Sequence, residues 1–146
     1  LFRSEREKGE ATGLQFEKAI SENMAKKTTE NKVKQDLAER EQKISMFKQV
    51  LEIDPVDQVA NFGLGSVYHD LKRYEEAIPP LQTVVKEYKD YSAAYVLLGK
   101  TMEKLSLRDE AIKTYREGIA VASKKGDLMP LKEMQQKLNQ LLHSNS

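Results

Sequence analysis

Residues recur in this chain at a fixed interval of 34 positions. Leu64-Gly65 returns as Leu98-Gly99, Ala77 returns as Ala111, and Phe47, Leu81 and Tyr115 form a third series. Several independent positions hold one register. Small residues at fixed places in two helices, repeating at this length, mark stacked helix pairs.

The helical signals agree with that interval. Between Lys32 and Ile53, the residues Val33, Leu37, Ile44, Phe47 and Leu51 are spaced by 4, 7, 3 and 4 and line one face of a helix. Asp54-Pro55 ends it, because proline lacks an N–H and disfavours helix in the residue before it. Gly65 is expected where the first helix of a pair crosses the second, opposite Ala77, and Gly99 opposite Ala111 in the next pair; a longer side chain there would push the helices apart. Pro79-Pro80 falls near the start of a helix and predicts a small bend, not a break.

Gly126-Asp127 separates the last repeat from a final helix, with Asp127 as its N-cap and Pro130 in its first turn. Leu128, Leu131, Met134, Leu138 and Leu141 or Leu142 give that helix an apolar stripe. Gln135, Gln136, Lys137 and Gln140 give it a polar back, as a helix covering the open end of a stack requires. Residues 1–31 are polar, with scattered Leu14, Phe16, Ile20 and Met24, and predict a poorly ordered or partly helical segment.

The pattern resembles the tetratricopeptide repeat, with its signature W-x2-L-G-x2-Y…A-x3-F…P. Residues 58–91 carry Leu64, Gly65, Tyr68 and Ala77 in their places, with Leu81 at the usual aromatic position. Asn61 stands where tryptophan is expected, with Phe62 next door to fill part of the gap, and Lys89 stands where proline is expected. Residues 92–125 carry Tyr95, Leu98, Gly99, Ala111 and Tyr115, with Met102 in place of tyrosine and Ser123 in place of proline. Phe47 and Pro55 match the second half of a preceding repeat, so 32–57 is a leading helix or half repeat and 126–146 a capping helix and tail. The resemblance implies an all-α, right-handed superhelix of antiparallel helix pairs, similar to the short stand-alone tetratricopeptide proteins of bacteria. Three full repeats are usually wanted for stability, and two with a half and a cap suggest self-pairing as one way to complete the stack.

Composition removes several function classes. Of 146 residues, 39% are apolar and 32% charged, above the roughly 25% usual for globular domains and in keeping with helices that expose much surface. The 24 basic and 23 acidic residues nearly cancel, whereas a nucleic-acid partner would want a basic excess on one face. Without cysteine there is no disulfide, thiol catalysis or thiolate metal site. No apolar run approaches the roughly 20 residues that span a bilayer. Leu1-Phe2-Arg3-Ser4 resembles the translation of a sequencing adapter, and MAKKTT from Met24 reads as an ordinary bacterial N-terminus.

No catalytic constellation is expected. His69 and His143 are the only histidines. On a helix, Ser66 shares a face with His69 while Asp70 is turned away by about 100°, and an open helix surface offers neither a sheltered pocket nor an oxyanion site. Two distant histidines without a D-x-[DN]-x-[DN]-G loop predict no metal site. Gly63-Leu64-Gly65 lies inside a helix and lacks the Gly-Lys-Ser/Thr of a phosphate loop, so no cofactor is expected.

What remains is a surface. In tetratricopeptide proteins the first helix of each pair lines the inner wall of the superhelix. Carried across by position, the wall here consists of Val59, Phe62, Gly63, Ser66, His69 and Asp70 from the first repeat. The second repeat adds Ala93, Val96, Leu97, Lys100, Glu103 and Lys104. Phe62, Val96 and Leu97 form an apolar strip bordered by charge, a usual mark of a binding site. The resemblance implies a non-enzymatic, cytoplasmic adaptor or assembly factor that holds a protein or peptide segment in this groove. Members that grip acidic chaperone C-termini use a lysine and two asparagines where this chain has Phe62, Ser66 and Leu97, so an apolar or amphipathic segment is the expected ligand. The competing expectations are a module that associates with itself, and a regulatory domain of a larger enzyme.

Overall fold

The computed structural model describes residues 2–144, with side chains from Thr12 onward; the expectations that bear on Leu1 and on 145–146 lie outside the described residues. Helix α1, Phe2–Ile53, runs unbroken for 52 residues, so the leading helix reaches back far beyond Lys32. The chain divides into two compact units, residues 1–41 and 42–146. In the first, every side chain from Thr12 to Glu41 is exposed, so packing does not stabilise this stretch. Its composition does: it holds strong helix formers and no proline. Glu22 and Lys26, Glu30 and Lys34, and Asp36 and Arg40 stand in the favourable acid-before-base order four residues apart. Val33 and Leu37, expected on the buried stripe, are 60% and 49% exposed. The stripe is used only from Ile44, where it meets the second unit's core with Phe47 and Leu51.

The second unit continues with α2 (Gln58–Asp70), α3 (Tyr74–Glu87), α4 (Ser92–Lys104), α5 (Arg108–Lys125) and α6 (Leu128–His143), and no strand occurs among the described residues. From α2 onward each helix packs on the next, and α4 also touches α2 and α6 across the turns. This is an all-α stack of antiparallel helix pairs, α2 with α3 and α4 with α5, in which Leu64 and Leu98 occupy equivalent buried places.

The crossings differ from the expected pairing in one respect. Gly65 faces Leu81, not Ala77: a Cβ on Gly65 would lie 2.5 Å from Leu81 Cγ. Gly99 faces the ring of Tyr115, not Ala111. Ala77 and Ala111 are themselves fully buried, but the space made by each glycine is filled by the third repeat series, one helical turn further on. Gly118 makes the same kind of room for Met134 of α6.

The turns explain the departures from the repeat pattern. Asp54-Pro55 ends α1, and Asp57 caps α2 by accepting from Ala60 N at 2.7 Å. Asn61 replaces the expected tryptophan because its Nδ2 donates to Pro55 O at 3.0 Å and Asp57 O at 2.9 Å, holding that loop. Phe62 does not fill the gap; it turns the other way and meets Tyr91 edge-on, ring centres 5.1 Å apart. Pro79 and Pro80 lie in the middle of α3, yet the helix continues through them. The carbonyls left without amide partners there belong to Glu75 and Glu76, which are exposed to water. Asp127 is the residue before α6, but its side chain makes no capping bond.

Candidate functional site

The first helices of the pairs, α2 and α4, present one side to a groove of about 560 Å³. Phe62 and Ser66 come from α2, and Ala93, Val96, Leu97 and Lys100 from α4. The opposite wall is α6, which contributes Met129, Pro130, Lys132, Glu133 and Gln136. Of the polar residues expected to face water from α6, Gln135, Gln136 and Gln140 are exposed, but Gln136 and Lys137 lie on the inner side, and α6 stands where the first helix of a third pair would. The reason is the length of α5, 18 residues against 14 for α3. An extra turn delivers the chain to the next inner position two residues out of register.

A second hollow of about 330 Å³ shares Lys100 with the first; it is lined by His69, Glu103, Lys104 and Lys137 as well. Nine of the twelve residues named for the inner wall thus line one hollow or the other: Phe62, Ser66, Ala93, Val96, Leu97 and Lys100 the larger, His69, Glu103, Lys104 and again Lys100 the smaller. Val59 and Asp70 line neither. Val59 is 74% exposed at the outer rim, one turn short of the hollow, and Asp70 is exposed at the end of α2. Gly63 is not part of the inner wall, because the ring of Phe47 occupies the space beside it.

Several groove side chains are already engaged. Tyr115 Oη donates to a Glu103 carboxylate oxygen. Burial first, then that bond, pushes the Tyr115 phenol above its ordinary range. Lys100 pairs with Glu133 across the floor between α4 and α6. His69 Nδ1 meets Thr101 Oγ1 at 2.9 Å, and its ring lies edge-on to Tyr74. Burial, and more weakly Lys100 and Lys104, hold its pKa below the usual histidine range against the opposing pull of Asp70. Among the described residues no cluster of three or more His, Asp or Glu could hold a metal ion, and no helix is long and apolar enough to cross a membrane.

Residues 59–91 match the family described as tetratricopeptide repeat. A TPR repeat-containing protein of Pseudomonas aeruginosa, PA0015, is 37% identical over 73 residues, which is 50% of this chain and 70% of that protein. The chain belongs to the tetratricopeptide-repeat family. Among solved structures, this tetratricopeptide protein is similar to BPP2914 of Bordetella parapertussis, with 26% identity, TM-score 0.61, and coverage of 70% of this chain and 89% of that one. It also shares its fold with the first TPR of Spaghetti (RPAP3) bound to an HSP90 peptide, at 19% identity and TM-score 0.63, covering 75% of this chain and 82% of that one.

The α6 wall escaped the sequence reading because it carries no leucine-glycine pair. One signal was available: Leu128 and Met129 open α6 directly after the α5 turn, where Ser92 and Ala93 open α4 after the α3 turn.

Proposed function

We propose that this tetratricopeptide protein is a non-enzymatic, cytoplasmic adaptor or assembly factor that holds an apolar or amphipathic segment of another protein in the groove between α2, α4 and α6. The observation that carries this reading is the half-buried Phe62 facing Leu97 and the 82% exposed Met129 across about 560 Å³ of concave surface. A concave, mostly apolar hollow with a few polar groups at its edge is the usual form of a ligand site. The peptide-bound structure of the Spaghetti TPR, which shares only the fold, supports the choice of a peptide-like ligand. Phe62, Ser66 and Leu97 stand in place of the clamp for acidic C-termini, which favours an internal apolar segment.

The test is capture of partners from native lysate by the full chain, by Phe62→Glu, and by Gln82→Glu on the exposed back of α3, each checked by circular dichroism. Loss of partners with Phe62→Glu but not with Gln82→Glu is the expected result. A folded Phe62→Glu that keeps every partner ends the groove reading.

Self-association is a second reading, favoured by the exposed Phe16, Ile20, Met24, Val33 and Leu37 on α1. Light scattering over a concentration range would show a mass that rises for the wild type and falls to the monomer value for Val33→Glu/Leu37→Glu.

A further inference from the structure

We propose that the groove binds an amphipathic partner segment in one fixed direction, with an apolar side chain at the Phe62 end and an aspartate or glutamate side chain between Lys104 and Lys137, about 10 Å further along the helix axes, the rise of seven helical residues. This rests on the groove reading above and specifies the chemistry of the ligand it takes.

The inner wall is graded along its length. The N-terminal halves of α2, α4 and α6 supply Phe62, Ala93 and Met129, and the smaller hollow, which shares Lys100, is lined by His69, Glu103 and three lysines. The chain as a whole is nearly neutral at +1, so the positive end is local. Its two nearby carboxylates are spoken for: Glu103 accepts from Tyr115, and Glu133 pairs with Lys100. Lys104 and Lys137 make no ion pair among the described residues, and the fold brings them to one hollow. Like charges placed together repel, and an anion between them relieves that repulsion.

The simpler account of a lysine near a helix end is the helix dipole, which favours cations in the last turn. That account covers Lys104, the last residue of α4. It does not cover Lys137, well inside α6. Asp70, the acid next to His69, is exposed and lines neither hollow. A free C-terminus is not needed: one internal carboxylate side chain meets both lysines, and an extended segment covers the distance from Phe62 in about three residues.

The experiment is selection from a resin-bound library of twelve-residue peptides with one fixed leucine, using the full chain, Phe62→Glu, and Lys104→Met/Lys137→Met, which keeps the aliphatic stems. The wild type should enrich aspartate or glutamate at one preferred spacing from the leucine. The winning peptide, measured by fluorescence anisotropy, should bind the double methionine variant roughly five- to tenfold more weakly, with a flatter salt dependence. Phe62→Glu should retain none of these peptides. Enrichment of apolar residues without an acid, or equal affinity for the double variant, overturns the proposal and leaves the groove reading standing. Retention of the same peptides by folded Phe62→Glu, or of no peptide by the wild type, overturns both.

Discussion

His69 Nδ1 lies 2.9 Å from Thr101 Oγ1 and joins α2 to α4 through side chains alone. Thr101 gives its own hydroxyl hydrogen to Leu97 O at 2.7 Å, so its oxygen is left to accept. His69 is therefore the donor, in the Nδ1–H tautomer when neutral. Burial disfavours its charged form, and the folded pKa falls below the ordinary histidine value of 6.5. The unfolded chain then binds more protons than the folded one near that pH. The stability that depends on His69 is complete above the unfolded pKa and is lost as pH falls through the folded value. Proton NMR should show the His69 ring titrating below 6.5. The stability gap between wild type and His69→Gln in urea should shrink from pH 7.5 to pH 5. A ring that titrates at or above 6.5 contradicts this.

The glycines at the crossings predict an ordered pair of losses. A methyl group on Gly99 meets the rigid ring of fully buried Tyr115, and one on Gly65 meets the branched end of Leu81. Leucine can change rotamer more cheaply than a phenol held by Glu103 can move. Gly65→Ala and Gly99→Ala should each cost about 1–3 kcal/mol, offset in part by better helix propensity, with Gly99→Ala the worse. Urea unfolding of both variants measures the order; equal or reversed losses would mean that the ring gives way.

Lys72 and Ser106 hold φ of 60° and 59°, the left-handed region, at equivalent places after α2 and α4. In both turns the next amide bonds back to the helix, Arg73 N to Tyr68 O at 2.8 Å and Leu107 N to Met102 O at 2.9 Å. The same closure after α5 uses Gly126, with Asp127 N bonded to Ala122 O. Only glycine takes this conformation without strain, and a side chain there costs about 1–2 kcal/mol. Lys72→Gly and Ser106→Gly should each stabilise the protein, by roughly 0.5–1 kcal/mol once the greater freedom of glycine in the unfolded chain is set against the gain. Thermal melts at constant pH would register the rise.

The 34-residue register made the fold legible, because Gly65, Gly99 and their neighbours are required by close helix crossings and by nothing else. Within those two repeats it also placed nine of the twelve wall residues along the two hollows. It failed where the constraint lapses. α4 starts 34 residues after α2, but α6 starts 36 after α4, so position counting could not carry the wall onto α6. A polar stripe such as Gln136 and Lys137 looks the same whether it faces bulk water or a hydrated groove. At the other end, α1 before Ile44 is held by propensity and charge order, and the apolar spacing of Val33 and Leu37 faces water, which the spacing alone does not reveal. Val59 was misplaced because positional carry-over fixes which face a residue is on but not how far along the hollow extends.

Met129 separates the structural view of the groove from the positional one. It is 82% exposed and supports nothing in the core, yet it lines the wall opposite Phe62. Val59, equally solvent-facing at 74%, lies beyond the rim. A charge at either site therefore leaves folding unchanged, within about 0.5 kcal/mol. A charge at Met129 confronts the apolar side chain of any bound segment without a partner for its own desolvation. Met129→Glu should weaken binding of a selected peptide at least tenfold, and Val59→Glu by less than twofold, in titrations followed by fluorescence anisotropy. If Val59→Glu proves the more damaging, the ligand runs along the outer rim of α2 and α6 is only a cap.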